Sequence, residues 1–271
     1  MVVPGDDRPS AVKRLVSSST LRKRVTDAVD ASDGQWETAW RNLQTQLPAA
    51  SVSALSAAND FLDWTRDHRP LESALASAGS VPSFRQLALD HNVASLAELV
   101  DAGELPPGTV GDTPEQRKLT FARSLRAGLY DRVPTAVIQR MVVDDEIPSP
   151  DPGVQSGVAR VLTNLGPDFN IRRTSLLSAL TRPNALDGVG SAVQPQVVER
   201  LKMLQRVQAI SPTPETVAAL VARGVHSAQS VAQVARDHFV RQMSGALAWN
   251  YLAPGCDRLP VLEITLPPAT E

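Results

Sequence analysis

Several things are scarce in this chain, and each scarcity narrows its reading. Aromatic residues make up only 4% of the 271 positions, so Ala, Val and Leu must do most of the packing. There is one cysteine, Cys256, which excludes an internal disulfide and argues against a cystine-stapled secreted domain. The formal net charge of −2 supplies no global field for drawing in nucleic acid or an acidic membrane. No run approaches the roughly 20 apolar residues needed to span a bilayer. The opening MVVPGDDRPS lacks the positive-then-apolar order of a signal peptide. The expectation is a chain made as a soluble cytoplasmic protein, any release needing a route independent of a signal peptide. Strand-like alternation is nearly absent before residue 259.

What is present is helical periodicity, interrupted often. Trp36, Trp40, Leu43 and Leu47 fall at i, i+4, i+7 and i+11, the stripe of a helix with 3.6 residues per turn, and are expected in the core. Leu119, Ala122, Leu125, Leu129 and Val133 form a second stripe; Val197, Leu201, Leu204 and Gln205 through Val207 form a third. The 21 prolines sit mostly where helices begin. Thr113-Pro114-Glu115-Gln116 reads as a capping box with proline in the first turn, where its missing N–H costs nothing. Thr213-Pro214-Glu215, His68-Arg69-Pro70, Val133-Pro134-Thr135 and Gln194-Pro195-Gln196 mark further starts. The fold class is all-α: an irregular array of short capped helices, expected near 10–17, 20–30, 34–47, 50–66, 70–78, 83–90, 95–102, 114–132, 135–143, 153–165, 174–181, 195–209, 214–223, 228–235 and 237–250.

One unit occurs twice. Residues 74–92 and 219–238 each run from an apolar helix end to a glycine (Gly79, Gly224), then to a serine (Ser83, Ser227) and a second short helix. Glycine supplies the left-handed stop, and serine offers its hydroxyl to the next helix's free N–H groups. Residues 104–112 (ELPPGTVGD), 144–152 (DDEIPSPDP) and 182–191 (RPNALDGVGS) read as loops. The acidic second one is the best internal boundary. It divides a 1–143 half from a 153–250 half, unless the helices form one continuous body. Residues 251–271 form an extended tail, in which Leu262, Ile264 and Leu266 alternate with Glu263 and Thr265. A lone extended segment needs a partner.

The order of four pieces resembles the N-terminal helical region of Tc-toxin A-component-like proteins, the Salmonella virulence plasmid A protein family among them. The pieces are DGQWETAWRNL (33–43), FLDWTRDHRPLESAL (61–75), LPPGTVGDTPEQRKLTFARSLRAGLYDRVPTAVI (105–138) and VERLKMLQRVQAISPTPETVAALVARGVHSAQSVAQVARDHFVRQM (198–243). The resemblance covers roughly residues 20–245. It implies a segment of helical shell in a large pore-forming, toxin-delivering assembly, whose partners are the other domains or subunits, and it brings no catalytic residue. The tail from Trp249 departs from the family's continuation, and channel-forming and receptor-binding regions are absent from this stretch.

The reactive side chains also admit structural roles. His68, His91, His226 and His238 include no i, i+4 pair and no neighbouring cysteine, so no zinc ligand set is read. His91 and His238 hold similar places in the repeated unit, and helix-end polar roles explain both. Cys256, in Pro254-Gly255-Cys256-Asp257, lacks a nucleophile-elbow context and reads as an inert thiol. Asp187-Gly188-Val189-Gly190-Ser191 has a G-x-G without the preceding strand that a dinucleotide fingerprint needs. Asp144, Asp145, Glu146 and Asp151 read as a solvated acidic loop rather than a glycosidase pair. Lys13, Arg14, Arg22, Lys23 and Arg24 could neutralise phosphates but lack stacking aromatics, so a solvated face is read. Trp36, Trp40 and Trp64 could line a groove, and helical spacing favours core.

The expectation is therefore a non-enzymatic structural and interaction module, without cofactor, metal site, nucleic-acid partner or membrane span, and able to form a homo-oligomer. The alternative is a free-standing effector or adaptor that binds a protein through its helical surface, and a third reading is a hydrolytic enzyme using Cys256 with a histidine.

Overall fold

A computed structural model describes residues 8–76, 80–234 and 239. Among them lie fourteen α-helices and one 3-10 turn (Ala102–Glu104), with no strand. The helices are α1 (Arg8–Leu15), α2 (Ser19–Asp30), α3 (Trp36–Gln46), α4 (Ala49–Thr65), α5 (Arg69–Leu75), α6 (Phe84–Asp90) and α7 (Val93–Leu99). They continue with α8 (Pro114–Arg132), α9 (Pro134–Val143), α10 (Pro152–Leu165), α11 (Leu176–Leu180), α12 (Gln194–Ala209), α13 (Pro214–Ala222) and α14 (Ala228–Ala232). The all-α class is shown. Apart from Phe239, the expected helix at 237–250 lies outside the described residues, as do His238, Cys256 and the tail at 251–271.

Helix starts follow the capping residues. The side chains of Ser18, Ser83, Asn92, Thr113, Asp151, Ser175, Thr213 and Ser227 each accept a backbone N–H of the first turn that follows. The box at α8 closes as its sequence implies. The Gln116 N–H donates to Thr113 Oγ1 at 3.2 Å, and the Thr113 N–H donates to Gln116 Oε1 at 3.3 Å. Gly224 follows α13 at φ +70, the left-handed stop. Gly79, its counterpart in the first copy of the repeated unit, lies outside the described residues.

The longest helix, α8, occupies the middle and touches α4, α6, α7, α9 and α13. Its buried face is Phe121, Ala122, Leu125, Leu129 and Tyr130. Leu119, expected on this stripe, is 36% exposed, and Phe121 takes the inward place because the buried line is set by the helices around it. Trp64 of α4 is buried, and its indole N–H donates to the Leu125 carbonyl at 2.8 Å. Gly128 permits this approach, since a Cβ there would stand 3.1 Å from Trp64 Cδ1. A tighter crossing joins α10 to α12, where a Cβ on Gly157 would come within 2.6 Å of Val197 Cγ2. On α12, Val197, Leu201, Leu204 and Val207 are fully buried, whereas Gln205 and Arg206, also expected on that stripe, are half-buried and exposed because they turn off the inward line. Buried apolar side chains from Ala11 to Val221 make one contiguous cluster, running through helices on both sides of residues 144–152.

The stripe of α3 differs from expectation. Ala39 and Leu43 are buried, whereas Trp36 and Trp40 are half-buried, stacked on each other with centroids 5.9 Å apart and planes at 24°. Helix α3 packs mainly on α2, so one narrow line is enough to seat it. The indoles cover the edge of the cluster.

Candidate functional site

The four histidines are not brought together. His68 is 2% exposed and caps α5: its Nδ1 accepts the Leu71 N–H at 3.2 Å, so the Nε2 carries the hydrogen and donates to the Asp101 carbonyl, also at 3.2 Å. Both ring nitrogens are thereby engaged in holding α5 to the segment after α7. His91 is half-buried at the end of α6. Burial holds its pKa below the ordinary imidazole range; Asp90 opposes that shift and Arg140 adds to it. His226 is exposed. Among the described residues, no three His, Cys, Asp or Glu side chains come together as a metal-holding group.

The acidic segment 144–152 is solvated on its outer side, with Asp145 and Asp151 exposed and Asp144 and Glu146 half-buried, and it is also fastened from behind. Ile147 is 0% exposed. Glu146 pairs at 2.8 Å with Arg126 of α8, whose side chain is buried. Arg200 of α12 donates to the carbonyl of Pro148 at 2.5 Å and reaches that of Ile147. Burial of Arg200 lowers its pKa from the ordinary guanidinium value. Asp144 Oδ2 accepts from Arg140 Nε and from the Asn92 amide, both at 2.8 Å. The signal for this lay in Ile147, a lone aliphatic in an otherwise polar run; its buried cationic partners are remote in sequence and could not be paired with it beforehand.

Other loops are held the same way. Thr135 of α9 donates to the Phe169 carbonyl and accepts the Ile171 N–H. Gln205 donates to the carbonyls of Ile171 and Thr174. Asn164 donates to Ala185 and Asp187, and Arg182 closes the end of α10 through the Leu165 carbonyl. Irregular backbone has no ladder or helix to satisfy its carbonyls, so these side chains do.

The basic group at the junction of α1 and α2 is a mostly exposed face, with Arg22, Lys23 and Arg24 at the surface. Arg14 reaches Glu72 at 3.6 Å. Burial raises the Glu72 pKa, and the Arg14 charge opposes that shift. Arg8 fastens α1 to α4 through Asn59, Asp63 and Asp67. Asp187 and Gly188 lie in a turn beside the Arg160 stem, with Gly188 at φ +75, and no strand leads into it.

The concave feature that these elements build is a surface groove of about 590 Å³ between the end of α9, residues 144–152 and the outer face of α10. Val142 forms part of its floor, and Val143 stands 59% exposed on its wall. Pro152 and Ala159 continue the apolar lining. Asp145, in the left-handed region at φ +59, and Arg160 bring one charge of each sign. Among the described residues, the Arg160 guanidinium has no hydrogen bond or ion pair. Such a groove, whose lining also includes Ser149, Gln155, Ser156 and Thr163, can bind an extended or helical segment by burial, one charge pair and hydrogen bonds. No helix among the described residues is long and apolar enough to cross a membrane. Comparison with known proteins finds no matching family model, no matching curated protein and no matching solved structure.

Proposed function

We propose that the chain is a structural and interaction module, a segment of helical shell in a toxin-like assembly of the Tc A-component kind, working by shape rather than by catalysis. The observation that carries this reading is the engagement of its polar side chains. His68, Arg126, Glu146, Arg140, Gln205 and Asn164 each hold a helix end or a loop in place. Short helices alone are marginal, and their mutual orientation depends on such connections. A stiff surface made this way is suited to docking against other domains or subunits of one complex, copies of the same chain included. The motif order across residues 20–245 supplies the class of assembly.

Sedimentation of the purified chain over a range of concentrations tests the reading. Association, with itself or with a larger helical partner, is expected, together with inertness toward ester, peptide, glycoside and nucleotide substrates. A strictly monomeric chain with a hydrolytic activity abolished by Cys256→Ala would overturn it.

A further inference from the structure

We propose that the groove between α9 and α10 is the docking site for residues 259–266 of the same chain, which lie outside the described residues. The groove is preformed, because one wall is held from behind by Ile147, by the Arg126–Glu146 pair and by Arg200. An occupant therefore pays little to shape it. Its character is specific in two respects. Val143 is exposed on a wall otherwise continuous with buried Val142, an apolar surface that water covers poorly. On the α10 side Arg160 offers a cation that no described residue meets. The matching occupant is a short segment with apolar side chains for Val143, Pro152 and Ala159, a single carboxylate for Arg160, and backbone groups that the lining Ser149, Ser156 and Thr163 can meet.

Residues 259–266, LPVLEITL, have that composition: Glu263 is their only charged side chain. The lining face of α10 from Pro152 to Thr163 runs for roughly 16 Å at 1.5 Å per residue. Residues 262–266 in extended form cover roughly 13 Å. In an extended conformation Leu262, Ile264 and Leu266 would share one face and Glu263 the other, where a guanidinium could take it. Phe239 is half-buried against the core, and with the expected helix running to residue 250 the stretch from Phe239 to Leu259 can span up to roughly 45 Å. Asp145 at the loop side of the groove disfavours a second carboxylate, which favours this segment over a more acidic one.

The test is amide hydrogen exchange on the full chain, read on the peptides covering 259–266. Exchange slowed at least about tenfold relative to a free peptide of that sequence is expected. Arg160→Glu should remove that protection, Glu263→Arg should remove it equally, and the double variant should restore it. Val143→Asp, also at an exposed position, should remove it through the apolar wall. Circular dichroism melting verifies that each variant remains folded. The proposal is overturned by exchange at free-peptide rates in the unaltered chain. Protection indifferent to both Arg160→Glu and Val143→Asp also overturns it, as does protection that disappears on dilution, which would assign the groove to a second copy.

Discussion

Two loops of similar composition have opposite fates in this molecule. Residues 105–112, LPPGTVGD, and 144–152, DDEIPSPDP, are both rich in proline and free of periodicity. The first is held by its own neighbours. Thr109 bonds back to the Pro106 carbonyl through its N–H and its hydroxyl, and the Asp112 N–H donates to Gln116 Oε1. Val110 at its tip is 38% exposed. The second is tied to α8, α12 and the start of α7 by side chains 20 to 53 residues away in sequence, and it buries Ile147 completely. Composition described both segments equally well. What separates them is whether a buried cation and an apolar socket happen to stand behind the backbone.

The contrast can be broken most sharply at Ile147. Ile147→Ala should destabilise by about 2–5 kcal/mol in chemical denaturation, the usual cost of emptying a fully enclosed aliphatic site. Glu146→Ala should cost about 1–3 kcal/mol, because it leaves the buried Arg126 guanidinium without its carboxylate while Glu146 itself is partly solvated. Beside the first loop, Thr113→Ala should cost about 1 kcal/mol by opening the α8 capping box, an entirely local effect. A loss at Thr113 exceeding that at Ile147 would reverse the ranking.

The second loop should also respond to pH where the first does not. Arg140, which pairs with Asp144 of that loop, also acts on His91 through its charge, and the His91 pKa in the fold lies below the ordinary value mainly through burial. The unfolded chain then takes up a proton near pH ~6.5 that the folded chain still refuses, so stability is lost as pH falls from there through the folded pKa. Urea denaturation at about pH 7 and about pH 5.5 should show this loss, and His91→Asn should diminish it. An equal loss in the variant would place the titrating group elsewhere. The smallest effect is expected for Val110→Ala, within about 0.5 kcal/mol, as for an exposed loop tip. A larger penalty would mean that the first loop has a hidden anchor of its own.

The same division between local and remote causes explains which features were readable from residues alone. The helix starts at Ser19, Phe84, Pro114, Pro134, Pro214 and Ala228 were legible to within a residue or two. Their caps and prolines act on backbone groups three or four positions away. The apolar part of the α12 stripe was legible because that helix buries a full face. The stripe of α3 was misassigned because period alone finds a face without saying how wide a neighbour covers it; Trp36 and Trp40 ended at the edge. His68 was legible as lying at a helix start, but its two-sided role depends on Asp101, brought in by the chain after α7. The groove beside α10 had no sequence signal, since its lining comes from α9, the loop and α10, and Arg160 is marked out only by which described residues do not reach it.

Taken by itself, then, the sequence determined the all-α class, the order of the helices and most of their first turns, through interactions of a few residues' range. The tertiary structure alone decided that the acidic segment is anchored, that Arg160 stands unmet among the described residues and that an apolar wall lies open beside it. Those outcomes depend on which distant side chains share a place, and pattern along a chain carries no distances across it.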